Sequence, residues 1–200
     1  MNRKKIFHMN INEKNIFVDS RLIFKINGFY KSIDFSNYEP NDLFRFPRRG
    51  KEQYLSPEVL NKDKIEIKNG NKIDLYSLGV TLYKLIFGCY PNGLSSINGE
   101  NYDETKEKIL TSKAFKIHIG MEISKKLENF LRKVLEKDYW KRYSISDALN
   151  DPWIKGWDIL NEEKENDVIL DVFILRLLEN HIPKFNQYFM INSVDAKMNK

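Results

Sequence analysis

The strongest hydrophobic pattern lies in the middle of the chain, where apolar residues occupy nearly every face of one predicted helix. These residues are Ile73, Leu75, Leu78, Val80, Leu82, Leu85, Ile86 and Phe87. A helix that is apolar all round has to be buried, so we predict a central helix over residues 72–87 with Leu78 and Leu82 in the core. Gly88 and Pro91, which follow it, are typical helix-ending residues.

A second helix is predicted by an amphipathic stripe later in the chain. Its apolar positions are Ile123, Leu127, Phe130, Leu131, Val134 and Leu135, with Lys125, Lys126 and Lys133 outside the stripe. Such a helix packs one face against the core. Further along, residues 144–147 (SISD) have capping-box spacing and predict a short helix, which Pro152 and Gly156 bring to an end.

Apolar alternation near the N-terminus predicts one small β-hairpin over residues 16–26. Its strands are Ile16-Phe17-Val18 and Leu22-Ile23-Phe24, on either side of Asp19-Ser20. From about residue 28 to 56 the periodicity disappears, and Gly, Pro, Asn and charged residues dominate. We therefore expect a long surface loop there, and loops of that length are usually functional or disordered.

The composition favours one globular domain with a real core, because 42% of the 200 residues are hydrophobic and 13% are aromatic. The net charge of +5 arises from 33 Lys and Arg scattered among 28 Asp and Glu, which we interpret as a solvated surface. No aromatic–basic interleaving accompanies it, so we expect no nucleic-acid partner. Cys89 is the only cysteine and forms no internal disulfide, which fits a reducing compartment.

The sequence predicts neither a secretory signal nor a membrane partner. The first ten residues carry positive charge but no apolar h-region. The most apolar runs, LGVTLYKLIFGCY and VILDVFILRLL, are interrupted by Lys84, Asp171 and Arg176, and they are shorter than the ~20 residues that span a bilayer. We therefore expect a soluble, cytoplasmic protein.

The C-terminal part differs from the rest of the chain. Residues 158–167 (DILNEEKEND) are acidic and polar, and they precede an apolar run with a narrow polar stripe. The run contains Val168, Leu170, Val172, Phe173, Ile174, Leu175, Leu177 and Leu178, and the stripe consists of Asp171, Arg176 and Glu179. A helix of this kind has to be covered on most sides, by the chain's own domain or by a partner. We divide the chain into a domain at 1–157 and a linker with a helical tail at 158–200.

Five short motifs occur in a fixed order between residues 6 and 155. They are HMNINEKN (8–15), YLSPE (54–58), KIDLYSLGV (72–80), DYWKR (138–142) and DPWI (151–154). Together they resemble the C-lobe of eukaryotic serine/threonine protein kinases: catalytic loop, end of the activation segment, start of the central helix and two C-terminal signatures. The resemblance implies a mainly α fold, a kinase-like C-lobe with one small β-hairpin and a C-terminal helical tail. It also defines a catalytic-loop remnant (8–18) and an activation-like segment (28–58).

The resemblance implies structural roles for four residues. Asp74 is expected to anchor the backbone of the catalytic-loop remnant, with a simple first-turn helix charge as the alternative. Glu58 and Arg142 are expected to form a buried ion pair between the activation-like segment and the C-terminal helices, the alternative being two unrelated surface charges. His8 is expected to be a packed core histidine with no catalytic role.

The positions that carry chemistry depart from the family. Kinases use a loop aspartate to accept the substrate proton and the D-F-G aspartate to hold Mg²⁺. Here Asn10 takes the first position and Gly28, followed by Phe29, takes the second. An amide cannot accept that proton at neutral pH, and glycine has no ligand atom. Asn12 stands at a lysine position, and Asn15, which matches the family, is expected to bond within the hairpin.

We therefore interpret the chain as a catalytically inactive pseudokinase that acts as a binding, scaffolding or regulatory module. The chain starts at the catalytic loop and carries neither the Gly-rich loop nor the N-lobe lysine. We expect no metal and no cofactor, where the family would use ATP and magnesium. The expected partner is a protein, such as another kinase or a missing N-lobe segment. The alternative is a fragment of an active or atypical serine/threonine kinase whose N-lobe is missing from this chain.

A smaller basic cluster, Arg48-Arg49-Gly50-Lys51, lies within the activation-like segment. It has the charge to bind a phosphate or an acidic peptide. Loop tips are commonly charged for solvation alone, and we favour that interpretation.

Overall fold

The computed structural model describes residues 5–18, 24–94, 101–112 and 123–155. Most of the regular structure in these ranges is helical, which confirms the mainly α class. The helices are α1 Pro57–Asn61, α2 Asn71–Phe87, α3 Tyr102–Thr111, α4 Lys125–Val134 and α5 Ile145–Leu149. The strands are β1 Ile6–Phe7, β2 Ile16–Val18, β3 Phe24–Ile26, β4 Ile33–Asp34, β5 Leu43–Arg45 and β6 Lys64–Glu66. The predicted linker and helical tail at 158–200 lie outside the described residues.

The central helix α2 begins and ends within one residue of its predicted bounds. Gly88 closes it in the left-handed conformation, with φ +71°, and donates its N–H to the carbonyl of Lys84 at 2.8 Å. Gly79 lets α4 approach closely, because a Cβ there would lie 2.9 Å from Cγ2 of Val134. The core of the domain therefore forms around α2. Within the described residues, no helix combines the length and the apolar character that a membrane span requires.

The prediction that Leu78 lies in the core is wrong. Its side chain is 41% exposed, and Leu82 is only partly buried. Leu78 lies one turn beyond Asp74 on α2, and both line an open apolar groove. An apolar pattern shows which faces of a helix prefer to be covered, but it does not show whether a neighbouring element covers each of them.

The predicted antiparallel pairing within residues 16–26 is confirmed, but the second strand continues to Ile26, whereas the prediction ended it at Phe24. Strands β2 and β3 pair antiparallel, with Ile16 opposite Ile26 and Val18 opposite Phe24. The predicted turn and the first two residues of the predicted second strand fall at 19–23, outside the described residues.

The prediction of a surface loop without regular structure over 28–56 is wrong in part. Strand β4 pairs with β1, and β5 pairs with β6, so this segment is fastened to the domain at two places. Four aromatic rings, those of Phe7, Phe35, Phe44 and Phe46, pack with centroids 4.8–5.9 Å apart. Strands of two or three residues are too short to show a periodicity in the sequence.

The two predicted C-terminal helices are present. The hydroxyl of Ser124 caps α4 by accepting the N–H of Leu127 at 3.2 Å. In the capping box of α5, Ser144 Oγ accepts the N–H of Asp147 at 3.2 Å, and the Asp147 carboxylate accepts the N–H of Ser144 at 2.8 Å. However, α5 ends at Leu149, so Pro152 does not terminate it. Residues 152–155 are helical again, and proline suits the first turn of a helix.

Candidate functional site

The carboxylate of Asp74, in the first turn of α2, holds the start of the catalytic-loop remnant. The backbone N–H of His8 donates to Oδ2 at 2.6 Å, and that of Met9 donates to Oδ1 at 2.8 Å. Burial raises the pKa of Asp74, while the two N–H bonds act to lower it. Met9 has φ +61°, a conformation that costs a non-glycine residue about 1–3 kcal/mol. The two bonds therefore hold the loop in a backbone conformation that it does not favour by itself.

Both ring nitrogens of His8 are engaged within the fold. Nδ1 accepts the N–H of Asn10 at 3.2 Å, so the proton lies on Nε2, which donates to the carbonyl of Asn27 at 2.8 Å. The ring is fully buried, and it contacts the ring of Phe29 edge-on with centroids 4.8 Å apart. His8 thus connects the catalytic-loop remnant to the start of the activation-like segment.

Three asparagine side chains organise the catalytic-loop remnant. The carbonyl oxygen of Asn10 accepts hydrogen bonds from Asn12 Nδ2 at 2.8 Å and from Asn15 Nδ2 at 2.7 Å. Asn12 Oδ1 also accepts the N–H of Lys14 at 3.0 Å, at the start of a short 3₁₀ turn. Asn10 Nδ2 makes a long hydrogen bond of 3.4 Å to the hydroxyl of Tyr30. The side-chain amides of these three residues therefore form hydrogen bonds to the backbone of the loop itself and to the neighbouring Tyr30.

The activation-like segment passes directly over Asn10. Gly50 has φ +97°, and a Cβ at this position would lie 3.0 Å from Asn10 Oδ1. Arg49 fixes this crossing, because its Nη1 donates to the carbonyls of residues 31 and 32 at 2.7 and 3.3 Å. Asn10 is only 8% exposed, and its side chain faces its own chain.

The space that a side chain on residue 28 would enter is occupied by Asn15. A Cβ on Gly28 would lie 2.6 Å from Asn15 Cγ, and φ at Gly28 is +85°. An aspartate here would have to displace Asn15 from its bond to Asn10. Among the described residues, no group of three or more His, Cys, Asp or Glu side chains could hold a metal ion. The polar side chains next to residue 28 are therefore amides and not carboxylates.

Arg142 and Glu58 form a buried ion pair with two parallel hydrogen bonds, of 2.7 and 2.9 Å. The guanidinium lies over the ring of Tyr76 with its carbon 4.8 Å from the ring centroid. Its remaining three N–H groups donate to the backbone carbonyls of Lys72, Glu136 and Lys137. All five donors of Arg142 are therefore satisfied, and the pair joins α1, α2 and the segment after α4.

The basic cluster contributes to holding the activation-like segment. Arg48 lies over the ring of Tyr102 at 4.6 Å, and Arg49 makes the two carbonyl bonds described above. Lys51 is exposed. The interpretation of the whole cluster as solvated charge is thus incomplete, because the two arginines also make contacts within the fold.

Sequence reasoning missed a polar cluster formed by Glu13, Lys84, Tyr54 and Tyr90. Lys84 Nζ lies 2.7 Å from Glu13 Oε1 and 3.0 Å from the hydroxyl of Tyr90, and the hydroxyl of Tyr54 donates to Glu13 Oε2. The cluster connects the catalytic-loop remnant, the end of the activation-like segment and α2. A usable signal was Lys84 itself, the only charged residue in the run LGVTLYKLIFGCY.

The cluster shifts the acidity of its members. Burial acts to raise the pKa of Glu13, but hydrogen bonds from Lys84 and Tyr54 outweigh it and hold the pKa below its ordinary value. Burial, followed by the bond to the Glu13 carboxylate, raises the pKa of Tyr54 far above its ordinary value. The Tyr54 hydroxyl therefore stays protonated and acts as a hydrogen-bond donor to Glu13.

Comparison with known proteins places the chain in a family. The family described as "Protein kinase domain" matches residues 1–154. The chain is 29% identical over 160 residues to myosin light chain kinase 2, skeletal/cardiac muscle, of Bos taurus, covering 78% of this chain and 23% of that protein. It is 28% identical over 221 residues to calcium-dependent protein kinase 6 of Plasmodium berghei (strain Anka), covering 100% of this chain and 14% of that protein.

The chain thus spans less than a quarter of the length of these relatives. Their similarity and the family match agree with the five motifs and with a mainly helical domain. The chain belongs to the protein kinase domain family.

Proposed function

We propose that this chain is a pseudokinase, a C-lobe-like protein kinase domain that does not transfer phosphate and works as a binding or regulatory module. The surroundings of Asn10 carry the proposal. The side chain is an amide, which cannot accept the substrate proton, and it lies beneath Gly50 with little exposed surface. An incoming hydroxyl has no proton acceptor at this position.

The surroundings of Gly28 support the same conclusion independently. Phosphoryl transfer in kinases depends on metal ions that bridge the phosphate oxygens. Residue 28 supplies no oxygen ligand, and the carboxamide of Asn15 fills the adjacent space. An aspartate at residue 10 alone would leave residue 28 without a metal ligand, and an aspartate at residue 28 alone would leave residue 10 without a proton acceptor.

The residues that hold the domain together support a binding role. The Asp74 carboxylate and the Glu58–Arg142 pair are both buried and fully engaged. Large apolar side chains are exposed on and next to the β2–β3 hairpin, including Phe17, Ile26, Phe29 and Tyr30. Exposed apolar surface of this type favours a protein partner, such as another kinase or an N-lobe segment.

The alternative is a piece of an active or atypical serine/threonine kinase. One observation favours it: the kinase relatives are more than four times as long as the part that this chain matches. In that case, residues outside this chain would supply both the proton acceptor and the metal ligands.

A thermal-shift titration with ATP and Mg²⁺ tests the proposal. A ligand at 100 times its dissociation constant stabilises a fold by about 2.7 kcal/mol, so binding would raise the melting temperature measurably. We expect no Mg²⁺-dependent shift, either for the chain or for an Asn10→Asp/Gly28→Asp variant. A shift that requires Mg²⁺ and disappears in Asn15→Ala would contradict the proposal. Repeating the titration on the longest protein encoded by the transcript tests the alternative.

A further inference from the structure

Strands β5 and β6 place two cations directly opposite each other in their two-stranded sheet. Arg45 pairs with Lys64 in the antiparallel register, and both side chains are exposed. Residues directly opposite in such a pair have Cβ atoms about 4.5–5.5 Å apart, and like charges at these positions destabilise the pairing. The sheet therefore carries a pair of side chains that works against its own stability.

The alternation of side chains along the strands fixes the face on which the two cations lie. Phe44 packs in the aromatic cluster that includes Phe7 of β1, and Ile65 is 1% exposed. Successive side chains of a strand point to opposite faces, so Arg45 and Lys64 point away from that cluster. We call this side of the sheet, opposite to Phe7, its outer face.

The positive charge of the outer face is not neutralised within the part of the chain that the structure describes. Neither of the two cations forms an ion pair with a described residue. The carboxylate of Glu66, on the same face, is already paired with Lys68 at 3.1 Å. Lys62 adds a third exposed cation, and Asp63 is the one acidic residue between Lys62 and Lys64. The face therefore has an excess of positive charge.

Leu43 gives the outer face an apolar part. It lies two residues before Arg45 on β5 and is 63% exposed. A protein segment with acidic and apolar residues suits such a face, because carboxylates form charge-assisted hydrogen bonds with Arg and Lys, and burial of apolar surface is favourable. A nucleic acid suits it less well, since aromatic side chains do not alternate with these cations.

We propose that the outer face of the β5–β6 sheet, formed by Leu43, Arg45, Lys62 and Lys64, binds an acidic segment of a protein partner. A carboxylate between Arg45 and Lys64 offsets the repulsion between the two strands, so the unfavourable pair becomes favourable in the complex. This surface is separate from the β2–β3 hairpin, and the inference holds whether or not the domain transfers phosphate.

Fluorescence anisotropy on the full 200-residue chain tests the binding. The probe is a fluorescein-labelled Glu-Glu-Leu-Glu-Glu peptide, and the same peptide with glutamine in place of glutamate is the uncharged reference. We expect saturable binding of the acidic peptide and none of the reference. Arg45→Gln/Lys64→Gln should weaken the binding about tenfold or more. Lys125→Gln/Lys126→Gln is the matched control, because it removes the same charge from exposed positions on α4 and should leave the affinity unchanged.

Lys64→Glu gives a second test with two readouts. It replaces the repulsion across the strands with an attraction, so the melting temperature should rise while binding of the acidic peptide is lost. The proposal is overturned if the acidic peptide does not bind, if Lys64→Glu leaves its affinity unchanged, or if the β-sheet and α4 double variants weaken it alike. Displacement of the peptide by an equal concentration of oligothymidine would also overturn it, because the partner would then be a nucleic acid.

Discussion

Arg142 shows how much of this domain depends on single charged residues. Its guanidinium donates five hydrogen bonds, two of them to Glu58 and three to backbone carbonyls. No water is needed to satisfy it. Removing one member of such a pair leaves the other charge buried and unpaired, which costs more than the pair itself contributes.

We predict that Arg142→Ala lowers the free energy of unfolding by about 3–5 kcal/mol. Lys141→Ala is the control. The side chain of Lys141, next to Arg142 in sequence, is 76% exposed, and its ion pair with Asp138 lies at the surface. Urea denaturation of both variants measures the difference. An Arg142→Ala midpoint equal to that of the unmodified chain would contradict the assigned role of the pair.

Gly28 and Asn15 should show a measurable energetic coupling. Gly28→Ala introduces a Cβ at positive φ, which costs about 1–2 kcal/mol, and adds the overlap with Asn15 Cγ. In an Asn15→Ala background the overlap is gone and only the backbone strain remains. A double-mutant cycle should therefore give a coupling of about 0.5–3 kcal/mol. Additive effects would show that Asn15 does not occupy the space next to residue 28.

At the scale of elements, the polar cluster around Lys84 links three segments that are far apart in sequence. Glu13 belongs to the catalytic-loop remnant, Tyr54 to the activation-like segment and Lys84 to α2. The Glu13 carboxylate receives bonds from both of the other side chains. The relative placement of these segments should therefore depend on the charge of Glu13.

The polar cluster around Lys84 predicts that the stability of the domain depends on pH in the acidic range. The pKa of Glu13 is lower in the folded chain than its ordinary value of 4.5. The contribution of the ionised Glu13 carboxylate to the free energy of unfolding is therefore complete above pH 4.5. It is lost as the pH falls through the lower pKa that Glu13 has in the folded chain. Glu13→Gln should remove this part of the acid dependence. Melting temperatures measured between pH 7 and pH 3 give this acid dependence. Glu107→Gln on α3 is the charge control. Identical pH profiles for the two variants would contradict the role of the cluster.

The elements that could be predicted from the sequence were those with a hydrophobic periodicity over many residues or with a local sequence signature. The apolar pattern located α2, and the amphipathic stripe located α4. The capping box at Ser144 located the start of α5. Strands β4 and β5 were missed because each has two or three residues and pairs with a distant partner. Contacts such as Glu13–Lys84 depend on tertiary placement, which no local pattern encodes.

At the scale of the whole molecule, the domain combines two buried structural anchors, Asp74 and the Glu58–Arg142 pair, with a loop in which Asn10 and Gly28 are closely covered by the chain's own residues. The resemblance identified Asn10 and Gly28 as altered positions, but only the structure shows that Gly50 covers the first and Asn15 fills the space beside the second.

Transfer of radiolabelled phosphate from ATP to a generic basic protein substrate, in the presence of Mg²⁺, tests the central claim most directly. Loss of a general base alone typically costs about 10²–10⁴ in rate, and the metal position is altered as well. We predict incorporation equal to that of a blank without protein, both for the unmodified chain and for Asn10→Ala. Asn37→Ala, at an exposed asparagine, is the control. Incorporation above the blank that falls in Asn10→Ala and persists in Asn37→Ala would show that this domain is a working kinase.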